Sequence, residues 1–141
     1  MDKLLTLDCS VWVACADPDS PEQMVSRELI VAVKRHGLAV NGPAFLAVEL
    51  ACALARKWRN TAQARRIAHA LLADAGVELL PVNHLLLQTA LESGRRFFLR
   101  GADALYVAAA EISGGRLISW DKEHVERAGG IRPVDWLELW K

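Results

Sequence analysis

Short apolar runs alternate along this chain with longer segments in which apolar residues recur every three or four positions. KLLTL, residues 3–7, reads as a short buried strand, and Ser10 to Ala16 as a short helix stopped by the turn residues DPDSP. Ser20 suits an N-cap, Pro21 the first helical position, and Glu22 and Gln23 the first turn. Together they predict a helix over about 21–36 closed by Gly37. LAV, 38–40, is a second strand, and after the Asn41-Gly42-Pro43 break comes a helix that carries Glu49. A helix over about 62–75 follows Asn60-Thr61 and ends at Gly76. VELLPV supplies a third strand, and Asn83 caps a helix running to about Phe98. Gly101 interrupts, and a short helix opens at Asp103 and ends at Gly114-Gly115. RLIS, 116–119, is a fourth strand, a short helix starts at Asp121, and IRPV adds a fifth strand. Strands alternating with helices imply right-handed crossovers and an α/β fold with a parallel sheet covered on both faces. In such a sheet ligands collect beyond the carboxyl ends of the strands, so the residues just after strands come first.

Composition narrows this picture. At 141 residues the chain is the size of one domain, 1–141, with a sizeable core. Hydrophobic residues make up 52% of it, enough to leave apolar surface for a partner and to point to oligomerisation. With 17 basic and 17 acidic residues the net charge is zero, so nothing global draws the chain to nucleic acid or to an anionic membrane. A polyanion site must be local. Cys9, Cys15 and Cys52 are odd in number, lack metal-type spacing and sit among apolar neighbours, which suits a reducing cytosol. The N-terminal apolar run is too short for a signal peptide, and no apolar segment approaches the roughly 18–20 residues that span a bilayer. The expectation is a cytoplasmic protein with no membrane partner.

Four carboxylates stand out. Asp8 follows the first strand, and Asp121 lies just past RLIS, so both fall at the ligand-binding edge of the sheet. Each also suits an N-cap, as does Asp103 in GADALYVAAAE. Glu49 differs, because in FLAVELACALAR it lies inside a helix, where no orphan amide awaits a side chain. It must reach solvent, pair with an arginine, or meet something inside. If the four acids converge, each pair about 5 Å apart repels by roughly 3 kcal/mol at an effective dielectric near 20, a strain that a cation relieves. Oxygen donors select Mg²⁺ or Mn²⁺ over zinc, and such an ion can activate water against a phosphodiester. Ser119 faces the same way as Asp121 by strand alternation while Trp120 faces the other, and Ser10 stands in the same offset after Asp8. Either hydroxyl can bind a metal-held water or a phosphate oxygen, and Ser10 equally suits a helix cap.

These blocks, LTLDCSVWVA, FLAVELACALAR, GADALYVAAAE and LISWDKEHVERAG, resemble in order and rough spacing the PIN-domain family, and within it the VapC-like ribonuclease toxins of type II toxin-antitoxin pairs. The resemblance covers nearly the whole chain. It implies a three-layer α/β/α sandwich with a mainly parallel sheet of about five strands. It further implies that Asp8, Glu49, Asp103 and Asp121 hold one or two Mg²⁺ or Mn²⁺ ions, with Ser119 and Ser10 as polar contacts. The implied reaction is hydrolysis of RNA to a 5′-phosphate and a 3′-hydroxyl by a homodimer. A small antitoxin, its tail in the groove beside the active site, is the implied partner. Trp120, bulky beside the fourth acid, either constricts the site or packs beneath it.

Basic residues cluster twice: Arg56, Lys57 and Arg59 with Arg65 and Arg66, and Arg95, Arg96 and Arg100 just before Asp103. They are candidates for RNA phosphates, although cations near helix C-termini also complement the dipole. Trp58, flanked by basic residues, is the stacking candidate, while Trp136 and Trp140 have the helical spacing of a docked tail. His36, His69, His84 and His124 share no ligand-like spacing and read as structural or exposed. Two other functions fit the acids. An aspartate-dependent phosphatase also places an Asp after the first strand, but its usual second Asp is replaced here by Ser10. A non-catalytic module with an acidic pocket or an apolar interaction surface is the other.

Overall fold

Leu5, Thr6 and Leu7 are fully buried because strand β1 (Leu4–Leu7) runs through the middle of a sheet. The computed structural model describes residues 2–141 and, among them, four strands: β1, β2 (Ala39–Pro43), β3 (Glu78–Leu80) and β4 (Arg116–Ile118). Their order is β3-β2-β1-β4, and every pairing is parallel. The chain steps outward from β1 through β2 to β3 and then returns to the other side of β1 with β4. The crevice at this reversal opens at the carboxyl ends of β1 and β4.

Among the described residues eight helices link and cover the strands: α1 (Cys9–Ala16), α2 (Gln23–Arg35), α3 (Phe45–Trp58), α4 (Thr61–Asp74), α5 (His84–Phe97), α6 (Gly101–Ser113), α7 (Lys122–Ala128) and α8 (Pro133–Glu138). Helix α6 lies against β1, β2 and β4 with α5 packed on it, while α1 packs against α2, α3 and α4. The result is a central parallel sheet flanked by helices, as the alternating pattern predicts. α4 and α5 are capped by Asn60 and Asn83, whose side chains accept from Gln63 N and Leu86 N.

Four expectations need adjustment. Asn41-Gly42-Pro43 is no break but continues β2, Asn41 pairing with Thr6 and all three residues with β3. IRPV does not extend into a full fifth strand; only Ile131 bridges Ile118, in parallel, because Pro133 already opens α8. Helix α6 begins at Gly101 rather than Asp103, since first-turn amides need no intrahelical acceptor and a glycine there costs little. Helix α2 begins at Gln23, because Ser20 forms a turn with Glu22 instead, accepting from its N–H and donating to its carboxylate.

The C-terminal tail docks as its tryptophan spacing predicts. Trp136 is fully buried and donates Nε1–H to Asp2 at 3.1 Å, and the Trp140 ring lies 4.2 Å from that of His36. The return from α6 to β4 passes so close to Thr6 that a Cβ on Gly115 would collide with its hydroxyl, while Gly114 takes φ +74°. These two glycines permit the tight return from α6 into β4 beside β1.

Candidate active site

Asp8 ends β1 and caps α1, its Oδ1 accepting from Ser10 N at 3.1 Å. It is 3% exposed, so its charge must be met inside the protein. The Ser10 hydroxyl donates to Oδ1 at 2.5 Å, the Ser119 hydroxyl donates to Oδ2, and His124 Nδ1 stands 2.7 Å from Oδ2. Four donors thus surround a carboxylate that has about four lone-pair directions.

The two serines extend the network. Ser119 Oγ accepts from Asp121 N at 2.8 Å, and Ser10 Oγ accepts from Trp120 N at 3.0 Å. Trp120 itself turns away and donates Nε1–H to Ser26 at 2.8 Å, so it packs beneath the site rather than constricting it. Asp121 caps α7 by accepting from Glu123 N. Capping and site-building therefore fall on the same residues.

Helix α6 brings Asp103 in its first turn. Loss of water holds the half-buried Asp103 carboxyl above its usual range, aided by the charges of Asp121 and Glu49 and opposed by His124 and Arg100. Asp103 thus feels the charge of both Asp121 and Glu49. One turn further along α6, the buried Tyr106 donates its hydroxyl to Glu49 Oε1 at 2.5 Å. Burial, then this hydrogen bond, keeps the phenol protonated. Glu49 is therefore neither a solvent-seeking charge nor half of an arginine pair; it is aimed by a tyrosine. The Cys9 thiol, held up chiefly by burial, lies against the same carboxylate.

His124 is 1% exposed and belongs to the network. Its Nε2 lies 3.0 Å from the backbone oxygen of Asp103, so both ring nitrogens face acceptors and both carry protons. Burial works against that charge, but the hydrogen bond and charge of Asp8 outweigh it and lift the pKa to about 9. Neither His124 nor Tyr106 has motif spacing. Their one sequence signal is position: each stands three residues after an acid, on the same helical face.

The basic candidates are placed more diffusely. Arg100 precedes α6, mostly exposed, with Nε 4.0 Å from Asp103 Oδ2. Arg56 follows Glu49 by two turns of α3, roughly 10 Å along the same face. Lys57 instead pairs with Asp17 at 2.8 Å, and Arg59 is the left-handed residue closing α3. Arg95 and Arg96 pair with Glu92 and Glu111, and Arg65 and Arg66 line a separate groove with Ala47 and Ala51. Trp58 lines another groove, of about 820 Å³, with Cys15, Ile67 and Leu71. That groove lies at the far end of α1 from Asp8.

The chain matches the family described as PIN domain over residues 5–130. It belongs to the PIN domain family. Solved structures share the fold at low identity. VapC20 of Mycobacterium tuberculosis, titled a sarcin-ricin loop cleaving toxin, is 19% identical with a TM-score of 0.67, over 82% of this chain and 87% of that one. VapBC2 of Rickettsia felis, bound to a DNA fragment from its promoter, gives 11% and 0.71 over 92% and 96%. FitAcB of Neisseria gonorrhoeae gives 16% and 0.66 over 92% and 98%. No curated protein matches on sequence.

The donor chemistry of this PIN domain, four carboxylates and two hydroxyls, suits a hard divalent cation, which would offset the charges of Asp121 and Glu49 that add to burial in raising Asp103. Among the described residues, however, no three His, Cys, Asp or Glu side chains already surround one point. Glu49, Asp103 and Asp121 are only partly buried, whereas Asp8 is enclosed and met by four donors.

Proposed function

We propose that this PIN domain, spanning residues 1–141, is a metal-dependent endoribonuclease and the toxin of a toxin-antitoxin pair. The observation that carries this reading is the gathering of Asp8, Glu49, Asp103 and Asp121 around the β1/β4 crevice. There burial, and after it the charges of Asp121 and Glu49, hold the Asp103 carboxyl above its usual range. Asp8, Glu49, Asp103 and Asp121 would hold one or two Mg²⁺ or Mn²⁺ ions. Once bound, the ion supplies water activation and stabilises the leaving oxygen. The chain's own residues do the rest. Tyr106 aims Glu49, Ser119 and Ser10 hold Asp8, and Ser119 also ties Asp8 to the backbone of Asp121. Arg100, exposed beside Asp103, receives the phosphate, and Arg56 extends the track along α3.

A toxin-antitoxin complex from Klebsiella pneumoniae among the structures of similar fold supports a small protein partner. Exposed Leu85, Leu87 and Leu91 on α5, with Phe98 after it, support a homodimer. Leu91→Glu should then shift the protein toward monomer in sedimentation, and an unchanged dimer would count against that face. The cell compartment that suits free thiols and an RNA substrate is the cytoplasm.

Incubating the protein with RNA tests the activity. Cleavage should require Mg²⁺ or Mn²⁺, stop with chelator, leave 5′-phosphate ends, and fall at least ~100-fold in Asp8→Asn, as removal of a charged transition-state contact does. Full activity in that variant would falsify the reading. One observation favours a second function, a non-catalytic PIN module: Asp8 is saturated by its own fold. Weak Mn²⁺ binding without turnover on any RNA would select it. Ser10, standing where a second Asp belongs, counts against Asp8 as a phosphatase nucleophile.

A further inference from the structure

We propose that His124 is a positioning residue of the acidic centre, fixing the Asp8 carboxylate against the first turn of α6 that carries Asp103. The four acids sit on four separate elements, and their relative placement depends on what ties those elements together at the crevice. Ser10 and Ser119 fix Asp8 only within the β1 and β4 edge, whose register the sheet already sets through Leu7 and Ile118. His124 crosses layers. It stands on α7, the helix capped by Asp121, reaches Asp8 Oδ2 with Nδ1 at 2.7 Å, and reaches the Asp103 backbone oxygen with Nε2 at 3.0 Å. One ring thus spans β1, α6 and α7, while Tyr106 joins α6 to Glu49 on α3.

With both nitrogens engaged and the ring 1% exposed, its orientation is fixed. Filling this space alone needs no histidine, because an apolar ring does so without two buried polar groups to satisfy. The two bonds are what the imidazole adds. Partners that orient metal ligands in this way typically change affinity 10- to 100-fold when removed.

The proposal rests on the nuclease reading above. It is tested by measuring Mn²⁺ binding calorimetrically, together with kcat and KM on RNA, for wild type, His124→Phe, His124→Asn and His124→Gln. All values are taken per folded molecule. Asparagine carries its amide nitrogen near the place of Nδ1 and glutamine near that of Nε2, so each keeps one bond. His124→Phe should weaken Mn²⁺ binding about 10- to 100-fold and lower kcat, with KM for RNA within about twofold. His124→Asn, which keeps the bond to Asp8, should recover most of the loss, and His124→Gln less. If His124→Phe does not fold, the difference between the other two decides. Wild-type Mn²⁺ affinity and kcat in His124→Phe overturn the proposal. Equal losses in every variant, without recovery in asparagine, assign His124 a packing role and overturn it too. A wild-type protein that neither binds Mn²⁺ nor cuts RNA removes the nuclease reading and the positioning role together. Unchanged variants beside an active wild type remove only the positioning role.

Discussion

Helix α1 has a buried aspartate at each end, and the two are neutralised in opposite ways. Asp8 and Asp17 are each 3% exposed. Asp8 sits at the N-terminus, where the helix dipole favours a negative charge; Asp17 sits at the C-terminus, where the dipole opposes it. Asp17 is satisfied by the amide of its near neighbour Asp19 at 3.0 Å and by Lys57 of α3, whose side chain is 45% exposed. The hydrogen bond from Lys57, then that amide, holds its carboxyl below the usual range. Asp8 is met by Ser119 and His124 from the far end of the chain, with no water-facing cation involved. A buried carboxylate is thus not in itself a mark of chemistry. What distinguishes Asp8 is that other acids stand beside it and that the buried Ser119 and His124 hold it in place of an exposed lysine.

That contrast can be broken by substitution, and the largest effect should fall at Asp8. Asp8→Ala strands His124 without its counter-charge, and urea unfolding should show a loss of about 3 kcal/mol as well as loss of activity. A variant as stable as wild type would mean that the network contributes nothing to folding. Next comes Glu49→Gln. It retains an acceptor for Tyr106 but removes a charge that raises Asp103, so metal-dependent cleavage should fall at least ~10-fold while metal-free stability stays within about 1 kcal/mol or improves. Unfolding with normal activity per folded molecule would make Glu49 structural.

The effects at Asp17 should be smaller and confined to stability. Lys57→Met should lower the melting temperature modestly and leave cleavage unchanged; a matching loss of activity would join this end of α1 to the site. The smallest effect is on pH dependence. Asp17 is depressed from 3.8, so its contribution is present above that value and lost as pH falls through the lower folded one. Lys57 is raised from 10.5, so its contribution is present below that value and lost as pH rises through the higher folded one. Both limbs should flatten in Lys57→Met, as read from urea midpoints across the acid and alkaline ranges.

Much of the fold is legible in the sequence because it is local. The punctuation by Asn83, Gly76 and Gly114 marks element ends, and strand–helix alternation dictates a parallel sheet. Asp8 and Asp121 are conspicuous because each stands just beyond the carboxyl end of a strand, and Glu49 because a charge there interrupts an apolar helix. His124 and Tyr106 are not legible in this way. Their meaning lies in contacts to Asp8 and Glu49 across the fold, which no local spacing encodes. Asp17 reads only as a turn residue for the converse reason: DPDSP announces a turn whether or not its first carboxylate is buried. The fifth strand fails because IRPV has strand-like apolar ends but a proline that opens a helix.

The most direct test compares the two ends of α1 in one experiment: RNA cleavage in Mn²⁺ by wild type, Asp8→Asn and Asp17→Asn, expressed per folded molecule. Cleavage should persist in Asp17→Asn, fall at least ~100-fold in Asp8→Asn, and vanish with chelator in every sample. Equal activity in the two variants would contradict the assignment of the β1/β4 crevice as the reacting centre.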